Sequence, residues 1–139
     1  MTETRRLSPN LSVSTQVEPC ELQSLAGAGF RSIIGNRPDG EDPDQPNWTE
    51  IAAAAEAAGM KASHIPVTPG AIGEDDVARF AAALEELPGP ILAFCRSGAR
   101  SATLWGLAQA GKLAPDEIIG TAAGAGCDLS PLRERLTRD

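Results

Sequence analysis

The chain predicts an α/β fold, a mostly parallel central sheet flanked by helices. Three observations carry that expectation. Short apolar runs such as Ile91-Leu92-Ala93-Phe94 lack alternation, as strands buried on both faces must. Segments with helical periodicity separate them, most clearly Glu74 to Leu87, where Val77, Phe80, Leu84 and Leu87 form one stripe. Glycine or proline punctuates nearly every transition, as in Pro88-Gly89-Pro90. Strands joined by helices of this length imply right-handed parallel crossovers.

The elements follow in order. Leu11 to Thr15 alternates and reads as a strand. Pro19 to Ala28 reads as a helix with Leu22 and Leu25 inward and Gly29 as its stop. Arg31 to Gly35 is a short buried strand around Ile33 and Ile34. A polar loop, Asn36 to Asn47, holds three prolines, one glycine and four acidic residues. Asn47-x-x-Glu50 has the form of a capping box and opens a helix to Ala58. Lys61 to Val67 reads as a strand and Thr68-Pro69-Gly70 as a turn. After the strand at Ile91, a helix is expected over Ser101 to Leu113 with Leu104 and Leu107 inward. Two short helices close the chain, one opening at Pro115, the other capped by Ser130 with Leu132 and Leu136 inward.

At 139 residues the chain reads as a single domain over 1–139. A net charge of −7 argues against nucleic acid or an anionic membrane as partner, and leaves open a small anionic substrate met by a local positive loop. The sequence has no apolar run near the length of a spanning helix, and Met1 to Asn10 lacks the apolar stretch of a signal peptide. Three widely spaced cysteines (Cys20, Cys95, Cys127) make no disulfide framework, so a reducing, cytoplasmic setting is expected. One histidine and no Cys-x-x-Cys pair leave no structural zinc set; neither a metal nor a cofactor is expected.

The chemistry concentrates in Cys95-Arg96-Ser97-Gly98-Ala99-Arg100-Ser101. Cys95 directly follows the most apolar strand, at the carboxyl end where open α/β sheets bind ligands. A compact turn into a helix leaves backbone N–H groups without helical partners, and these converge on one spot. The helix adds roughly half a positive charge there, and Arg100 adds a planar fork of donors. The same field favours thiolate over thiol, the reactive form of cysteine. Cys95 and Arg100 are therefore the candidate catalytic residues; Arg96, Ser97, Gly98, Ala99 and Ser101 are candidate anion-binding residues. Ser101 is expected to donate to the sulfur and cap the helix. Arg37, after a strand at the same sheet end, either approaches the substrate or belongs to a solvated loop with Asp39 and Glu41. Trp48 and Trp105 read as packing residues; His64, within a strand, reads as a satisfied core or surface histidine with a catalytic base as the alternative. Glu74, Asp75 and Asp76 read as the acidic start of a helix, with a general acid among them as the alternative. Nothing in the spacing places Cys20 or Cys127 near Cys95.

The segment Ile91 to Leu107 resembles the active-site strand, loop and helix of cysteine-dependent dual-specificity-like phosphatases and of rhodanese-type sulfurtransferases. Over about Leu7 to Leu113 the chain resembles the phosphatase-like family of beta-lactamase hydrolase-like proteins. The matching pieces are Leu11 to Gln16, Asn36 to Glu41, His64 to Val67 and Cys95 to Ser101. The resemblance implies a three-layer dual-specificity-phosphatase-like fold, and a metallo-β-lactamase-fold persulfide dioxygenase as a possible partner. It leaves the reaction open. Phosphatases place five residues between Cys and Arg, where this chain has four, as rhodaneses do. They place His before the Cys, where this chain has Phe94, and an acidic residue in the loop after the preceding strand, where Thr68 to Gly73 has none. Protonating an alkoxide needs that acid; sulfane-sulfur transfer does not. The expected activity is a sulfurtransferase working from thiosulfate or a persulfide to a thiol or cyanide. The alternative is a phosphatase acting on a phosphate ester, and behind it a non-enzymatic sulfur carrier.

Overall fold

The computed structural model describes residues 3–137. Its centre is a five-stranded sheet in the order β1-β2-β5-β3-β4, where β1 is Thr4–Ser8, β2 Leu11–Ser14, β3 Ser32–Gly35, β4 Lys61–His64 and β5 Ile91–Phe94. All neighbours are parallel except β1, which runs antiparallel to β2. The sheet is thus mixed at one edge and parallel elsewhere. The expected α/β architecture is the observed one.

Residues on β3 and β5 divide alternately between two faces. Ile33, Leu92 and Phe94 join Leu22, Leu25 and Ile51 on one side, beneath α1 (Leu22–Gly27) and α2 (Trp48–Ala57). Ile34, Ile91 and Ala93 join Phe80, Leu104, Leu107, Ile118 and Leu136 on the other, against α3 (Glu74–Glu86), α4 (Ala99–Gln109), α5 (Pro115–Gly124) and α6 (Arg133–Leu136). Burial on both faces is why the β5 run is apolar throughout.

Several elements differ from the sequence reading. Strand β1 was not anticipated: in Thr-Arg-Arg-Leu-Ser only Leu7 turns inward, so the edge strand carries almost no apolar signal. The helix expected from Pro19 begins as a 3-10 turn, Pro19–Glu21, with Glu18 as its cap. Strand β4 ends at His64 rather than Val67, although Ile65 and Val67 still donate to Gly35 and Asn36 carbonyls. Helix α4 starts at Ala99, two residues before the expected Ser101. Ser130 is likewise no cap; it opens a second 3-10 turn, Ser130–Leu132, and bonds to Asp128. Of the capping box at Asn47 and Glu50 one arm forms: the Asn47 N–H donates to Glu50 Oε1 at 3.3 Å.

Candidate active site

The anion loop is set by the register of the sheet. The Cys95 N–H donates to the Ser14 carbonyl at 3.4 Å, so the thiol leaves β5 just beyond the end of β2. Cys95 is fully buried. Gly98 turns the chain back at φ 93°, a left-handed conformation that a side chain would strain, and its N–H reaches the Cys95 sulfur at 3.0 Å. The Ala99 N–H is taken by Ser97 Oγ at 3.3 Å. The N–H groups of Arg96 and Ser97 have no partner among the described residues. The loop thus presents a small nest of donors at the positive end of α4.

Arg100 lies in the first turn of α4 and is only 7% exposed. Its Nη1 donates to Glu41 Oε2 at 2.7 Å and to the Val67 carbonyl at 3.0 Å, and its Nη2 to Glu41 Oε1 at 2.9 Å. Arg37, 5% exposed, donates from Nε to the same Glu41 at 2.9 Å, from Nη1 to Gln16 at 3.1 Å and from Nη2 to Asp42 at 2.6 Å. The hydrogen bonds from Arg100, then those from Arg37, hold the Glu41 carboxyl down at about 2 against the opposing effect of burial. Glu41 in turn raises Arg100, with the charge of Cys95 adding to it after burial has opposed. Two arginines and two carboxylates therefore cancel beside Cys95.

Ser101 does not donate to the sulfur. It lies inside α4, where its Oγ donates to Asn36 Oδ1 at 2.8 Å, while Asn36 Nδ2 donates to the Ile65 carbonyl at 2.9 Å. The cap position belongs to Gly98, because α4 begins two residues early. Arg96 points outward, with its Nε 3.8 Å from Asp42. Ser97 and Ala99 are exposed at the rim. His64 stacks on Trp48 with ring centroids 4.9 Å apart, and its Nε2 is 3.0 Å from the Arg37 carbonyl, so it anchors the acidic loop. Asp76 accepts from the Gly73 N–H at 3.0 Å and Glu74 lies 3.7 Å from Arg135. Both carboxylates are engaged at the start of α3.

Asn36, Gln16 and the bracing role of Glu41 escaped the sequence reading. Each lies in a segment of weak local pattern, and only the crossing of β2, β3 and α4 brings them together. Burial first, then the charge of Cys95, pushes the Cys127 thiol up, with Arg5 opposing.

A buried cysteine at the end of a central parallel strand, followed by a tight anion loop and an Arg-bearing helix, defines a cysteine-dependent, phosphatase-like domain of the tyrosine and dual-specificity phosphatase fold. Within that class, the chain belongs to the family described as "Beta-lactamase hydrolase-like protein, phosphatase-like domain", whose profile matches residues 3–112. A beta-lactamase hydrolase-like protein of Agrobacterium fabrum is 37% identical over 135 residues, covering 96% of this chain and 31% of the relative. The chain thus spans about a third of that relative's length. A solved candidate phosphatase from Neisseria meningitidis Z2491 superposes with a TM-score of 0.86 at 37% identity, covering 95% of this chain and 94% of that one. The active form of Tk-PTP, at 17% identity, shares the fold with a TM-score of 0.76, covering 96% of this chain and 92% of its own. Among the described residues no helix is long and apolar enough to cross a membrane.

Proposed function

We propose that the chain is a sulfurtransferase in which Cys95 carries sulfane sulfur. The observation that carries this reading is the commitment of Arg100. Its guanidinium gives three of its five N–H groups to both Glu41 oxygens and the Val67 carbonyl, which leaves two for the peripheral oxygens of a phosphoryl group. What the loop offers instead is the N–H groups of Arg96 and Ser97, a nest suited to one outer sulfur atom. The thiolate attacks the sulfane sulfur of thiosulfate, the sulfur–sulfur bond breaks, and sulfite departs with both electrons. The loop persulfide is then attacked at its outer sulfur by an acceptor thiolate, which leaves as a persulfide and restores the Cys95 thiolate. Neither step needs a proton donor. Glu41, held near 2, has no proton to give at neutral pH, and of the α3 carboxylates Asp76 is taken by the Gly73 N–H and Glu74 lies 3.7 Å from Arg135.

The second reading, phosphate-ester hydrolysis through a phosphocysteine, is favoured by one observation: the solved Neisseria relative that spans nearly the whole chain is described as a phosphatase candidate. The deciding experiment is intact mass after incubation with thiosulfate, run beside hydrolysis of p-nitrophenyl phosphate. Gain of one sulfur atom on the Cys95 peptide, removed by a thiol, supports transfer. Efficient ester hydrolysis without sulfur uptake from any donor would replace it. The family resemblance suggests a persulfide dioxygenase as partner, and the cysteine pattern a reducing cytoplasm as the setting.

A further inference from the structure

Beside the anion loop lies a cavity of about 280 Å³. Glu3 and Arg5 at the start of β1, Thr15 after β2, Ser97 and Gly98 of the loop, and Cys127 after α5 line it. Glu3 and Arg5 are two positions apart, so they share one face of the chain. Arg5 is built into this wall. Its Nη1 donates to the Ala125 carbonyl at 3.3 Å. Gly126, at φ 86°, leaves that nitrogen room; a Cβ there would collide with it. Arg5, like Arg6 and Arg31, has no carboxylate partner among the described residues. The cavity also adjoins the nucleophile: Gly98, on its wall, hydrogen-bonds the Cys95 sulfur.

The geometry points to this cavity as the seat of the sulfur acceptor, a low-molecular-weight thiol with an amino-acid head, Arg5 taking its carboxylate and Glu3 its ammonium. The assignment rests on the sulfur-transfer reading. Opposite charges on one wall suit a zwitterion better than a simple anion such as thiosulfate, and the volume exceeds what thiosulfate fills. The acceptor reacts as its thiolate, its proton released to water. It bonds to the outer sulfur of the Cys95 persulfide; the inner sulfur–sulfur bond breaks and the Cys95 thiolate leaves.

Two measurements on the full chain test this. The first uses S-methylglutathione, which has the head group but cannot accept sulfur. In a Cys20→Ser background, alkylation of Cys127 by N-ethylmaleimide, followed by peptide mass mapping, should slow when the probe is present. Arg5→Met should abolish the protection and Arg5→Lys should keep part of it. Absent protection in the parent, or protection unchanged in Arg5→Met, overturns the assignment, whatever the protein does with sulfur. The second compares acceptors. Arg5→Met should lower kcat/KM for glutathione about tenfold, as loss of a charge-assisted hydrogen bond does. It should leave 2-mercaptoethanol turnover and the rate of loading from thiosulfate unchanged. Equal losses for both thiols overturn the acceptor site. Failure of the parent to load sulfur at all would instead sink the sulfur-transfer reading, and the protection measurement would still decide whether the cavity binds the head group.

Discussion

Arg100 grips both carboxylate oxygens of Glu41, at 2.7 and 2.9 Å, across 59 residues of chain. Glu41 also takes Arg37, so one carboxylate on the acidic loop ties the anion loop to β3. Glu41→Gln keeps the shape and removes the charge. It should lower kcat/KM for sulfur transfer about tenfold to a hundredfold, because a displaced catalytic group costs rate steeply. It should also cost stability on the order of 1–3 kcal/mol, since Arg100 stays buried with a weaker partner. Steady-state kinetics and urea unfolding check both; activity equal to the parent would show that Glu41 does not position Arg100.

The same carboxylate sets an acid limit. Its folded value is about 2 against 4.5 for an unperturbed side chain. A depressed carboxyl stabilises the fold fully above pH 4.5 and loses that contribution as pH falls toward 2. Melting temperature followed from pH 6 to pH 2 should therefore drop more steeply for the parent than for Glu41→Gln. Parallel curves would mean that the pair contributes nothing to the acid response.

Cys95→Ser should remove essentially all turnover, because a serine hydroxyl is not ionised by this loop, while the melting temperature stays close to the parent's. Cys20→Ser, at an exposed position, should turn over normally. Activity of Cys95→Ser above a few per cent of the parent would place the nucleophile elsewhere.

Ser101→Ala should act through structure. It deletes the bond to Asn36 Oδ1 and leaves a buried acceptor unpaired, a cost of about 1–3 kcal/mol. Sulfur loading should fall far less than in Cys95→Ser. A loss of loading equal to that of Cys95→Ser, with stability intact, would give Ser101 a direct role at the sulfur.

Gly98→Ala tests the turn itself. A Cβ there meets the Ser14 carbonyl oxygen at 3.5 Å, an ordinary contact, so the penalty is conformational. Holding alanine at φ 93° costs about 1–2 kcal/mol. Relaxing it would withdraw the N–H from the Cys95 sulfur. The expected result is slower alkylation of Cys95 together with a lower melting temperature; an unchanged alkylation rate would show that this N–H does not support the thiolate.

The strand-helix alternation, the central strand Ile91–Phe94 and the Cys95 loop were legible in the sequence because their signals are local. An apolar run reports burial on both faces, a period of 3.6 reports a helix, and a turn glycine beside Cys and Arg reports a nest. Strand β1 was not legible, since an edge strand is satisfied by one inward residue, Leu7, and by hydrogen bonds that any side chains permit. Nor was the partner of Ser101, because side-chain pairing over 65 positions leaves no periodicity. Sequence alone singled out Cys95 as the candidate nucleophile and the end of the sheet at which it lies. Only the tertiary structure decided that Arg100 is braced by Glu41 and that Arg5 and Cys127 stand beside the loop. Those relationships depend on how β1, the acidic loop and the end of α5 close around one strand end, and such closure is a property of packing between segments rather than of any one of them.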